Sequence, residues 1–363
     1  MTAGAGVEDA AWPELHEMLL RLAGHGPDDL LTRCRAWLAQ ERLPDVGKAL
    51  THVALAWGVR VSDADFDLLD MLLSAAGADR SVLGLIARSG PSGLMYGFAP
   101  TFALAQDCLS GRAEPSSFWP GDGGPDATAP EDEVCRAAVG SVAATPEAKA
   151  LWRAWRFPAS GSPWPVPRRV YVVEAGAGAD LAGITHAVQQ ALEAVGETAP
   201  QVESYSAGAA LPEYQRRARA CGALLWSRTP DPGVRIADPF PGEDGETSDR
   251  PVLDKAEREQ LSAYLWAGEL VLETDESMAD PLADPQALDR SERVPSSVRT
   301  DGYWAWSEAV ARCLDRYGFS PEHDLVEHAR AQGFVAAAVD GAAAYRALAA
   351  LRNPGPDPSD MPA

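Results

Sequence analysis

The chain has 363 residues, 46% of them apolar, which allows two or three domains with substantial cores. No apolar run approaches the roughly 20 residues of a membrane helix. The acidic start MTAGAGVEDAAWPELHEMLL has no basic region ahead of an apolar one, so no secretory signal is expected and the expected location is the cytoplasm. A formal net charge of −22 repels nucleic-acid backbones and anionic membranes, and favours a basic protein partner or simple solubility.

The first hundred residues read as helices. ELHEMLLRLAG stops at Gly24, a natural helix end. DDLLTRCRAWLAQ sets Leu30, Leu31, Cys34, Trp37 and Leu38 at helical spacing. PDVGKALTHVALAWG opens with Pro44 and closes at Gly58. SDADFDLLDMLLSAAG places Ser62 three residues before Asp65, a capping box with the shorter acid. Short links between such helices imply a small bundle, residues 1–110.

Residues 111–131 are rich in Gly, Pro, Ser and Asp and read as a linker. Over 132–167 the sequence predicts a connecting helix at TPEAKALWRAW, capped by Thr145 and Pro146, and then a Pro-rich segment. From 168 to 274 the pattern becomes strand, helix, strand, helix, strand: RRVYVVEAG, ADLAGITHAVQQALEAVG, QVESY, LPEYQRRARACG, ALLWS. That order predicts parallel crossovers in a small α/β layer. VRIADPF and LVLET are further candidate strands, and KAEREQLSAYLWAG is a helix. Residues 275–340 combine an acidic loop with an aromatic hairpin-and-helix module, and 341–363 end a helix and form a tail. The expected fold class is multidomain α/β.

In the last module, Asp301-Gly302 suits a tight hairpin turn. Strand alternation puts Trp304 and Trp306 on one face and Tyr303 and Ala305 on the other. Ser307 can cap the next helix, Gly318 stops it, and a second helix runs from Ser320-Pro321-Glu322 to Gly333. The aromatic residues are read chiefly as core, with Tyr303, Trp304 and Trp306 as the candidate interaction surface. His323 and His328 are five apart and diverge on a helix, so both are expected at the surface and no metal site is expected. The five scattered cysteines have no C-x-x-C pair and read as buried free thiols.

No catalytic set stands out, and no cofactor is expected. The alternative is a nucleotide- or small-anion-binding enzyme or sensor on the α/β layer. EAGAGADLAG leaves a strand and opens a helix, with Gly176 and Gly178 as G-x-G, but Leu181 replaces the third glycine and Glu174 and Asp180 add negative charge. Here Glu174 is the candidate acid/base, and Arg216 or Arg217 the anion holder. SYSAG lacks the first glycine of a nucleophile elbow, and Pro212 delays the helix after it. The run holding Glu273, Asp275, Glu276, Asp280 and Asp284 lacks the spacing of a calcium loop; it is a solvated surface or a docking face for a basic protein.

Arg299, Thr300, Asp301, Gly302, Trp304, Trp306, Tyr317, Gly318 and Pro321 match a pattern R-T-D-G-x-W-x-W with a downstream tyrosine, glycine and proline. From about 168 to 334 the chain resembles a group of uncharacterised bacterial proteins from high-GC genomes that carries this fingerprint. The resemblance implies no activity. It implies only a loose association with toxin-immunity gene neighbourhoods.

Overall fold

The computed structural model describes residues 5–89, 93–114, 118–124, 132–237, 250–274, 277–279 and 293–352. The chain divides into two units, Met1–Thr229 and Pro230–Ala363. The helical segment and the strand layer that the sequence separates at 111–131 both belong to the first unit.

The first unit opens with helices α1 (Ala5–Leu22), α2 (Asp28–Ala39), α3 (Leu43–Ala56) and α4 (Asp63–Ala75). Their apolar stripes meet in one core that includes Leu15, Met18, Leu31, Leu38, Leu50, Val53 and Leu69. The Ser62 capping box forms: its hydroxyl accepts the Asp65 N–H at 3.1 Å and donates to the Asp65 carboxylate at 2.7 Å. Next come β1 (Tyr96–Ala99), α5 (Phe102–Leu109), α6 (Glu133–Ala143), β2 (Ala148–Pro158), β3 (Arg168–Ala175), α7 (Leu181–Ala194), β4 (Gln201–Ser206), α8 (Glu213–Ala220) and β5 (Ala223–Ser227).

The helix expected at TPEAKALWRAW is instead the central strand β2. Its Ala, Lys, Leu and Arg favour a helix by propensity. Alternation decides otherwise: Leu151 joins the core under α6 and α7, whereas Arg156 reaches Tyr214 of α8 on the opposite face. Both edges of β2 are paired, with β3 along one and with β1 and β5 sharing the other. The layer is therefore mixed. β3 and β4 are parallel neighbours, as the crossover pattern predicts, but β5 lies across the antiparallel β2.

The second unit contains β6 (Arg235–Ile236), α9 (Lys255–Ala267), β7 (Glu269–Leu272), β8 (Ser277–Ala279), β9 (Arg293–Pro295), β10 (Val298–Thr300), β11 (Trp304–Ser307), α10 (Glu308–Tyr317), α11 (His323–Ala331) and α12 (Gly341–Arg352). Its main sheet runs β6-β11-β10-β7, and β8 pairs with β9 separately. Trp304 and Trp306 share a face, as alternation requires, and pack with Leu261, Tyr264 and Leu265 of α9, Val310 and Leu314 of α10, and Leu325 and Val326 of α11. Ala305 on the other face meets Ala347 of α12. Gly318 ends α10 in the left-handed region at φ 68°, and Ser307 holds the N-cap position without a side-chain cap bond. Asp275, Glu276, Asp280, Asp284 and residues 241–249 lie outside the described residues; Glu273 is exposed.

Gly268 links α9 to β7 where the chain passes over the Trp306 indole. A Cβ there would lie 2.4 Å from the buried ring. Gly268→Ala is expected to cost about 1–3 kcal/mol through overpacking, measured by urea unfolding. Gly233→Ala, in open space at φ 71°, isolates the backbone cost alone and is expected to cost less.

Candidate functional site

The hairpin β10–β11 places the chemistry of the second unit. Its register pairs Thr300 with Ala305, so the turn spans four residues rather than the two-residue Asp-Gly link. Only Gly302 takes a positive φ, 91°. The physical reason is the Asp301 side chain. Its Oδ1 accepts the backbone N–H groups of Tyr303 at 2.9 Å and Trp304 at 2.7 Å, closing the turn around a carboxylate. Thr300 Oγ1 supports it, donating to the Trp304 carbonyl and accepting the Gly302 N–H at 3.0 Å.

Asp301 Oδ2 faces inward, where it accepts the Tyr264 hydroxyl from α9 and His328 Nε2 from α11, the latter at 2.7 Å. Burial, then the adjacent carboxylate, pushes the Tyr264 phenol above its ordinary range, so it stays a donor. Two backbone N–H groups, the Tyr264 hydroxyl and His328 Nε2 thus converge on this one carboxylate. The proton of a neutral His328 ring then sits on Nε2, and Nδ1 is left as an acceptor. The expectation that His328 is a plain surface residue is corrected: it is 19% exposed and paired to a buried acid 27 residues away.

His328, Tyr303 and the edge of Trp304 line an open pocket of about 370 Å³, completed by Arg235, Asp324 and Glu327. Arg235 lies 4.2 Å above the Trp304 ring and is held by Asp324 at 2.9 Å. The Tyr303 and His328 rings are 5.6 Å apart and tilted by 43°. Of the three aromatic residues proposed as an interaction surface, Tyr303 is 51% exposed, while Trp304 and Trp306 are buried beneath it. No serine, threonine or cysteine hydroxyl or thiol lines this pocket among the described residues. The dyad is therefore not arranged beside a serine, threonine or cysteine nucleophile.

The first unit distributes the residues of the alternative site differently. Glu174, at the end of β3, is 2% exposed and accepts the Tyr205 hydroxyl at 2.6 Å; Arg219 of α8 donates to the same hydroxyl at 2.8 Å. Arg216 and Arg217 sit on the exposed side of α8, so the structure does not bring them to Glu174. Arg219 is the arginine on the inner side. Its selection follows from the helical phase of α8, where Gln215 and Ala218 also face inward. In the strand-to-helix loop the Gly176 N–H donates to the Glu147 carbonyl at 2.8 Å, and Gly178 takes φ 77°. Asp180 occupies the N-terminus of α7, accepting the Gly183 N–H at 2.8 Å. A carboxylate already caps the place where a phosphate would bind.

The same sheet face buries two further ion pairs. Arg35 of α2 meets Glu203 of β4 at 2.6 Å, and Gln215 donates to the second Glu203 oxygen at 3.2 Å. Burial pushes the Glu203 carboxyl up, with Arg35 opposing. Arg156 of β2 holds Asp28 at the start of α2, and Arg168 joins it at 2.9 Å. Burial opposes ionisation of Asp28, but hydrogen bonds and charge from Arg156 and Arg168 outweigh it and hold the pKa below its ordinary value. These contacts fasten α2 to the sheet and read as structural. The five cysteines are free and buried; burial pushes Cys34 up to about 12, which makes it unreactive. Among the described residues no His, Cys, Asp or Glu cluster is placed to hold a metal ion, and no helix is long and apolar enough to cross a membrane.

No family model, curated protein or solved structure matches the chain.

Two measurements check this geometry. Asp301→Ala leaves Tyr264, His328 and two backbone donors without their acceptor and is expected to destabilise the second unit by on the order of 3 kcal/mol in urea unfolding. Asp28→Asn is expected to cost about 3 kcal/mol at pH 7, because Arg156 stays buried without a counter-charge. The folded pKa of Asp28 is lowered, so its contribution is full above the ordinary 3.8 and drains as pH falls through the folded value. The gap between wild type and Asp28→Asn should therefore narrow in unfolding curves taken from pH 5 towards pH 2.

Proposed function

We propose that this chain is a non-enzymatic, acidic interaction protein of the cytoplasm that docks a basic protein partner, in the manner of an immunity or inhibitor protein. The observation that carries this reading is where the charge lies. Pro230–Ala363 holds 26 Asp and Glu against 12 Lys and Arg, a net of −14 out of the −22 of the whole chain. Within that unit, Arg235, Arg299, Arg330 and Arg346 are each engaged by a carboxylate of the unit itself. These four cations serve internal pairs, and the surplus of carboxylates gives the field around the unit a negative sign. Such a field steers a basic partner and sets its orientation more than it sets raw affinity.

The test is capture on the immobilised full chain from its own cell extract at about 50 mM and about 500 mM salt, since screening shortens from low to high salt. A basic protein held at low salt, released at high salt and binding the purified chain in a second step is the expected result. Retention of no protein at low salt contradicts the reading. A panel of nucleotides in a thermal melt separates the alternative: a ligand at a hundred times its Kd adds about 2.7 kcal/mol of stability. The expected result is no shift in Tm.

A further inference from the structure

The pocket beside the hairpin turn has a lining that identifies its occupant by chemistry. We infer that it receives the guanidinium of an arginine side chain presented by the basic partner; this rests on the interaction reading above. Three features select a planar cation. Tyr303 offers an exposed aromatic ring beside the His328 imidazole, 5.6 Å between centroids, and both residues line the space. Next to them the fold already uses the same contact internally, with Arg235 4.2 Å above Trp304.

The second feature is charge. Asp324 and Glu327 both line the space and are 56% and 51% exposed. The single cation of the lining, Arg235, is already held by Asp324 at 2.9 Å. Arg330 reaches Glu327 from the same helix, but Glu257 of α9 also holds it. Exposed ion pairs of this kind exchange partners at little cost, so an arriving guanidinium can take Glu327 while Arg330 keeps Glu257. An anion would meet two carboxylates and a guanidinium that is already neutralised.

The third feature is His328. Asp301 holds Nε2, which leaves Nδ1 on the other side of the ring, an acceptor whenever the imidazole is neutral. A guanidinium carries five N–H donors in a flat fork, suited to a carboxylate, an imidazole nitrogen and a ring face together. An ammonium has the charge without the plane, so arginine is favoured over lysine.

The probe is N-acetyl-arginine amide, with N-acetyl-citrulline amide as its neutral isostere, observed by saturation-transfer NMR on the full-length chain. Binding of the arginine probe, a response to citrulline at least fivefold weaker, and a response to N-acetyl-lysine amide weaker than to arginine are expected. Tyr303→Ala and Glu327→Gln should each reduce the arginine response at least threefold, and Tyr303→Phe should retain it. Both substituted positions are exposed, and the hydrogen bonds of Tyr303 to the turn and to Arg235 are made by its backbone, so thermal melts should match wild type. Glu269→Gln removes an equal charge from β7, at the opposite edge of the sheet, and should leave the response unchanged. An equal loss in Glu269→Gln and Glu327→Gln, or binding insensitive to Tyr303→Ala, would overturn the pocket while leaving a diffuse electrostatic partner possible. A working pocket with no protein captured from extract would instead count against the interaction reading alone.

Discussion

One buried carboxylate organises the second unit. Asp301 is 4% exposed, and such a group is tolerated only where hydrogen bonds replace its lost hydration. The replacements come from three separate elements: the turn's own backbone, Tyr264 on α9 and His328 on α11. The hairpin is thereby tied to two helices at a point, and the tryptophans on β11 are drawn into the core between them. The exposure of Tyr303 follows from the same geometry. It occupies the turn residue whose N–H is needed inside and whose side chain has nowhere to go but outward.

The first unit uses a related device, with arginine as the hydrogen-bonding partner. There buried arginines pair with carboxylates across elements: Arg35 with the equally buried Glu203, Arg156 with Asp28. The chain has three lysines and 28 arginines, and a planar guanidinium with several fixed donors is the cation best suited to burial. Breaking such a pair is costly, although an apolar substitute for both partners would often serve stability as well. Their value here is register, since each pair joins α2 to one place on the sheet.

Local patterns made some of this legible in the sequence. The Ser62 cap, the stop at Gly318 and the shared face of Trp304 and Trp306 are properties of a few neighbouring residues, and they appear where spacing puts them. β2 was not legible, because Ala148 to Arg156 carries helix-favouring residues and becomes a strand through pairing on both edges. Glu174 was recognisable as the acid at the end of a strand, but its company was not. Arg219 rather than Arg216 or Arg217 reaches it, by way of Tyr205, and that depends on how α8 lies on the sheet. The pairing of His328 with Asp301 had no signature at all; helical spacing compares His328 with His323, whereas its partner lies on a different element.

The most direct test of this account is hydrogen exchange at the Tyr303 and Trp304 amides, which donate to Asp301 Oδ1. If the carboxylate is the point that holds the unit together, both amides exchange only on global unfolding, with the slowest amides of β11, and Asp301→Ala moves both into the range of an open turn. Fast exchange of these two amides in the unmodified chain, while the core of α10 stays protected, would contradict it.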